Sequence, residues 1–311
     1  MFVSKFPLFF IAALLLNGCI SSEEKDDPIK ITIEKKDPKT APSRKISTEF
    51  KEYWYSGMAE ITSYSLLQER YGEIREGTAV NIFVTEDFLP DEQVKANNAS
   101  QENVSVMKLN QMKKFNTGIY PYSVMTSTFS PIAEKEHPLK ITNSVQEWCG
   151  QVYMQLNSRE DFEIESHSYF EGEADQKIAL QKTYLENELW NLIRINPEEL
   201  PTGDVMVIPA FEYLRLRHKK IKQHNAYASL KQGDSITIYT LNYPELQRQL
   251  MLFFNSTFPY EIEKWEEINA AAQNDTLRLK TTAIKIKRIK SDYWTKNTNA
   301  DLNLRDTLQL K

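Results

Sequence analysis

Glycine is scarce, with nine residues in 311. The chain has no G-x-G-x-x-G, no G-x-x-x-x-G-K-[ST] and no G-x-S-x-G. The usual sequence signs of nucleotide binding and of the serine-hydrolase elbow are therefore missing. Cysteine is scarcer still: only Cys19 and Cys149 exist, too few for a disulfide framework. Four histidines nearly exclude a zinc centre built from several His and Cys ligands. Positive charge is also short. Lys and Arg number 38 against 43 Asp and Glu, a net charge of −5, without the basic footprint that nucleic acid needs. No apolar run is long enough to span a bilayer, which takes about 20 residues. The one at the start, Phe6–Leu16, is far shorter and contains Pro7. No pattern calls for a cofactor, and no internal repeat is visible.

That short run fits a secretory signal, with Lys5 and the free amine as its positive start. It ends in Leu16-Asn17-Gly18-Cys19, which resembles the lipobox of bacterial lipoproteins. The resemblance implies a signal peptide over 1–18, cut before Cys19, and a diacylglyceryl thioether on that cysteine. The plainer alternative is an ordinary secretory signal with an incidental cysteine. Each buried methylene contributes about 0.8 kcal/mol, so two or three acyl chains such as palmitate would hold the protein almost permanently. Residues 19–47 are rich in Lys, Glu, Asp and Pro and read as a mobile tether. The acids of Ser22–Asp27 resemble the short export signals that follow the lipidated cysteine in surface lipoproteins of the Bacteroidota. They imply an outer-membrane anchor facing the cell surface; as a plain solvated charge run they would leave it facing the periplasm.

The body, 48–311, reads as a single β-rich domain. At 41% hydrophobic and 11% aromatic it can bury a large core. Period-two alternation predicts strands over 59–68, 77–85, 119–129, 145–156 and 162–170. More follow over 205–216, 226–230, 234–241, 247–254, 260–266 and 276–289. Gly72 and Gly77 bracket an expected turn, 91–103 is a polar loop, and "KQGD" at 231–234 suits a hairpin. One segment has helical spacing: Thr183–Ile195, with Tyr184, Leu185, Leu189, Leu192 and Ile193 on one side and Pro197 to stop it. The expected fold is a curved antiparallel sheet or a partly closed β-barrel with that one helix.

"FKEYWYSGMAEITSY", "EGTAVNIFVTEDFLP", "KFNTGIYPYSVMTSTFSP", "TNSVQEWCGQVY", "SHSYFEGEAD" and "YWTKNTN" carry a further likeness. Through them the chain from about Phe50 to Leu310 resembles a family of uncharacterised lipoproteins of the Bacteroidota. Some members carry the label "septum formation inhibitor Maf". Maf nucleotide pyrophosphatases carry an N-terminal Ser-x-Ser-Pro-Arg-Arg motif, which is absent here. The resemblance implies an envelope address and no catalytic residue. More loosely, the β-rich body with its Trp- and Tyr-rich start is similar in architecture to periplasmic half-barrels such as the Lol lipoprotein carriers.

Candidate chemistry is sparse. Cys149, in "EWCGQVY", would be a nucleophile if His167 lay near it as base; otherwise it is an inert thiol buried on an apolar strand. Glu163, Glu165, His167 and Tyr169 share one strand face and could ligate a metal or simply be solvated. Glu171, Glu173 and Asp175 could hold calcium, although the EF-hand pattern fails at Gln176 and Lys182. The basic stretch Lys285–Lys290 could meet anionic sugars or lipid headgroups, or protect a sheet edge. Tyr53, Trp54, Tyr55, Tyr64, Tyr71, Tyr120, Tyr122, Trp148 and Tyr153 could line a glycan or lipid groove, or fill a core. The expectation is a non-enzymatic envelope protein binding a lipid, a glycan or a partner protein. The alternatives are an envelope hydrolase using Cys149 with His167 or the acids of 163–175, and a structural subunit of an envelope complex.

Overall fold

Alternation of apolar and polar residues puts one face of each strand against a core and leaves the other to solvent. In 162–168 this is plain: Phe162, Ile164 and Ser166 are buried while Glu163, Glu165 and His167 are exposed. The computed structural model describes residues 42–271 and 274–310. Residues 1–41, which hold the expected signal peptide, Cys19 and most of the expected tether, lie outside the described residues.

Helix α1 (Thr48–Trp54) leads into β1 (Ala59–Arg70), β2 (Glu73–Leu89), the short β3 (Val94–Lys95) and β4 (Val104–Thr117). Then come β5 (Tyr120–Pro131), β6 (Lys140–Glu147), β7 (Gly150–Ser158), β8 (Phe162–Ser168) and β9 (Gln176–Leu180). The second half runs β10 (Tyr184–Leu185), α2 (Glu186–Ile195), β11 (Gly203–Ile208), α3 (Phe211–Leu216), β12 (His224–Lys231) and β13 (Ile236–Tyr243). It ends with β14 (Arg248–Asn255), β15 (Ile262–Ala271), β16 (Asn274–Ser291) and α4 (Asn303–Thr307).

All strands join one open, curved sheet, ordered β10 to β16, then β1, β2, β4 and on to β9, with β3 beside β2. It is not a closed barrel. Two meanders meet where the first strand pairs with the last, Glu60 opposite Lys290 and Ile61 opposite Ile289. Every pairing is antiparallel except β10 with β11.

Helix α2 lies in the main core with all its residues buried. Its Trp190 packs edge-on against Trp265 of β15, with ring centroids 5.2 Å apart. Its three charges, Glu186, Glu188 and Arg194, are buried with it. Glu186, at the start, receives both Arg248 Nη atoms at 2.5 and 2.6 Å. Arg194, in the last turn, donates to both oxygens of Glu60 at 2.6 and 2.7 Å. Acid first and base last also suits the helix dipole. Pro197 stops the helix, since the residue before a proline is pushed to extended backbone, as Asn196 is with φ −160°. A second core joins β6–β8 to β10, β11 and α3 through Ile141, Leu156, Phe162, Ile208 and Phe211, so the two ends of the sheet curl toward each other.

Three expectations are corrected, and one strand that was not expected is added. The 145–156 strand is two strands, broken by a turn at Trp148–Cys149. The 205–216 strand becomes β11 and then α3; Pro209 has no N–H to continue the ladder. β4, read past in the sequence because Lys and Asn interrupt its apolar pattern, sits between β2 and β5. Lys285–Lys290 does not guard an edge: β16 is flanked by β15 and β1, and three of the stretch's four cations have partners within the protein. Lys285 meets Glu261 and Glu263. Arg288 meets Glu60 and Glu261, and Lys290 donates to the Tyr53 carbonyl.

Candidate functional site

Alternate connections of an antiparallel meander fall at the same end of its strands. Four do so here: Tyr71–Gly72, Gly118–Ile119, Trp148–Cys149 and 169–175. The segment after α3 reaches this end too, because His218 Nδ1 lies 2.6 Å from Glu173 and Arg70 donates to the Leu216 carbonyl. The tips are unusually apolar: Tyr71, Ile119, Trp148 and Tyr169 are all exposed, Ile119 by 82%. The opposite end receives the incoming chain, where Arg44 docks on the carbonyls of Pro131, Ile132 and Glu134 and on Glu199.

The rim collects most of the candidate residues without making them a catalytic set. Cys149 is exposed, not buried on a strand, and its N–H donates to Glu147 at 2.6 Å. A hydrogen bond with Glu147, with lesser help from desolvation and that residue's charge, pushes the thiol pKa up, the reverse of nucleophile activation. His167 is exposed on β8 and pairs with Asp175 at 3.4 Å, not with Cys149. Glu165 pairs with Lys177 at 2.8 Å and Glu163 faces solvent. Glu173 accepts from Ser168 Oγ at 2.7 Å and Glu171 is exposed. Among the described residues no three His, Cys, Asp or Glu side chains converge as a metal centre would need.

The aromatic set divides. Trp54, Tyr64 and Tyr122 are core; Tyr55, Tyr71 and Trp148 are exposed; Tyr53, Tyr120 and Tyr153 lie between. Tyr120 links Trp148 to Tyr122, at centroid separations of 6.4 and 5.9 Å.

Two cavities have apolar floors. One, of about 320 Å³, lies on the outer face of the sheet under the C-terminal segment. Ile61, Val80, Ile82, Met112 and Ile289 form its floor and Leu308 covers it, with Lys114 and Lys296 also in its wall. The other, about 290 Å³, opens at the rim between β7–β9 and the end of α3. A polar cleft of about 520 Å³ at the opposite end holds His137 with Glu188, both carboxylate oxygens 3.0 Å from Nδ1. Burial draws the His137 pKa down, but the Glu188 hydrogen bond and charge outweigh it and hold the imidazole above its usual range.

The sequence reading missed His137, Arg70 and Arg215. "RLRHKKIK", residues 215–222, was the available signal, a cationic run in an acidic chain. Among the described residues no helix is long and apolar enough to cross a membrane. No family model, curated protein or solved structure matches the chain.

Proposed function

We propose that this is an envelope lipoprotein, held at the outer membrane by acyl chains on Cys19, whose body binds an apolar ligand rather than catalysing a reaction. The observation that carries the binding role is the outer-face cavity. Sheet faces turned to water are normally polar, yet β1, β2, β4 and β16 present Ile61, Val80, Ile82, Met112 and Ile289 there. Among the described residues a thin segment of short helices covers them. A volume of about 320 Å³ lies in the range of small-molecule sites. Lys114 and Lys296 suit an acidic headgroup above an apolar chain. The lipobox-like residues support the anchor, and the acids of Ser22–Asp27 support a cell-surface address.

Native mass spectrometry of the full chain, purified from its own host, tests the reading. A lipid of fixed mass should accompany the protein and should be lost from Met112→Lys. A protein that carries no lipid, or one that keeps it in Met112→Lys, overturns the assignment. Cys19→Ala should leave the membrane fraction; retention there would refute the anchor.

A further inference from the structure

Buried arginines in this protein follow a rule with two exceptions. Arg194 and Arg248 each face a carboxylate in two-pronged fashion. Arg70 and Arg215 are also buried, at 5% and 4% exposure, yet among the described residues no carboxylate lies within 4 Å of either. A buried ion without a counter-ion is among the costliest groups a fold can keep. Each also leaves its Nε without a partner. Arg70 donates to Tyr71 and Tyr122 hydroxyls at 2.9 and 3.2 Å and lies 4.0 Å over the Tyr71 ring. Arg215 stacks 4.2 Å over Phe170, and among the described residues the one hydrogen bond of its side chain, to His218 Nε2, is long at 3.5 Å. Arginine can only donate, so Nε2 is the acceptor in that contact, and the other ring nitrogen, Nδ1, faces Glu173 at 2.6 Å.

Arg215 forms part of the wall of the rim cavity. Val152, Met154, Ile178, Leu214 and Ile221 give that cavity an apolar lining. Lys219 and Lys220 stand at its mouth, and its one acid, Glu173, is already engaged by Ser168 and His218. Burial pulls the Arg215 guanidinium below the usual arginine range; Glu173 opposes this and the like charge of Arg70 adds to it. The backbone at His218 is left-handed, with φ 50°, a strained conformation for a non-glycine residue held where side chains converge.

We infer that the rim cavity is an anion site: Arg215 receives the oxyanion head, a phosphate or carboxylate, of a small amphiphile whose apolar body rests on Val152, Met154, Ile178 and Leu214. A fork of guanidinium N–H groups matches an oxyanion, and the burial of Arg215 itself strengthens its charge-assisted bonds. The site is separate from the outer-face cavity, and does not depend on it.

The test is isothermal titration of the full-length protein with octyl phosphate and octanoate, with inorganic phosphate and octyl glucoside beside them, on wild type and Arg215→Met. Methionine refills the space and removes an unpaired buried charge, so the variant should melt no lower than wild type. Wild type should bind octyl phosphate and octanoate one to one, and octyl glucoside not at all. Arg215→Met should weaken both by about tenfold or more. Inorganic phosphate binding as tightly as octyl phosphate would overturn the amphiphile and leave a free-anion site. Unchanged affinity in a folded Arg215→Met, or no binding by wild type, would overturn the site itself. Octyl phosphate binding lost in Met112→Lys but kept in Arg215→Met would place the ligand in the outer groove and also overturn it.

Discussion

His137 meets the buried Glu188 across the polar cleft, and Glu188 also accepts from the Leu185 N–H at 2.9 Å to cap α2. The folded imidazole titrates above its unfolded value of about 6.5 because Glu188 outweighs burial. A raised histidine contributes stability that is fully present below the unfolded pKa and is lost as pH rises through the folded one. Urea midpoints measured across neutral pH should therefore fall as pH rises through that folded value, and His137→Gln should flatten that fall. Cys149 gives a second residue-scale expectation. It is exposed, yet Glu147 raises its pKa, so it should react with iodoacetamide more slowly than free cysteine at the same pH. Glu147→Gln should quicken the reaction severalfold by restoring thiolate; an unchanged rate would show that the carboxylate does not govern it.

Single elements are held by close approach and by paired charge. Gly77 of β2 sits where a Cβ would strike the Lys114 carbonyl of β4. Gly77→Ala should cost about 1–3 kcal/mol through overpacking of two backbones. Gly172, with open space around it and no left-handed φ, should accept alanine within about 0.5 kcal/mol. Comparing the two by chemical denaturation checks whether backbone proximity, rather than glycine loss, sets the effect. At α2 the Glu60–Arg194 pair is 1% exposed on both sides. Breaking it from one side, by Arg194→Met, should cost about 3–5 kcal/mol, because Glu60 is left buried and charged. Glu60→Leu combined with Arg194→Met should recover much of that loss, and a double-mutant cycle reads the difference.

Across the whole molecule the two meanders are incomplete without each other. α2 belongs to the second half, but its buried partners include Glu60 and the Met107 carbonyl of the first. The sheet is continuous only because β1 pairs with β16. Far-UV circular dichroism and tryptophan fluorescence should therefore report one coincident urea transition; two separated transitions would show that the halves fold alone. The same connectivity explains what could not be read in advance. β9 and β10 sit at opposite ends of the strand order, though they are neighbours in the chain. Nothing local distinguishes the two unpaired arginines from the paired ones.

Strand alternation, the helical spacing of 183–195 and the stop at Pro197 are local properties of the chain, because period and backbone restriction act over a few residues. They were enough to establish a curved β-rich body with one principal helix. Only the tertiary structure decided that Lys285–Lys290 lies inside the sheet, that Cys149 caps a hairpin and that Arg215 is buried with no carboxylate of the described residues within 4 Å. The first depends on β1 pairing with β16 across more than two hundred residues, which leaves no trace in any short stretch of sequence; the Cys149 turn is local, but alternation runs through it without marking the break.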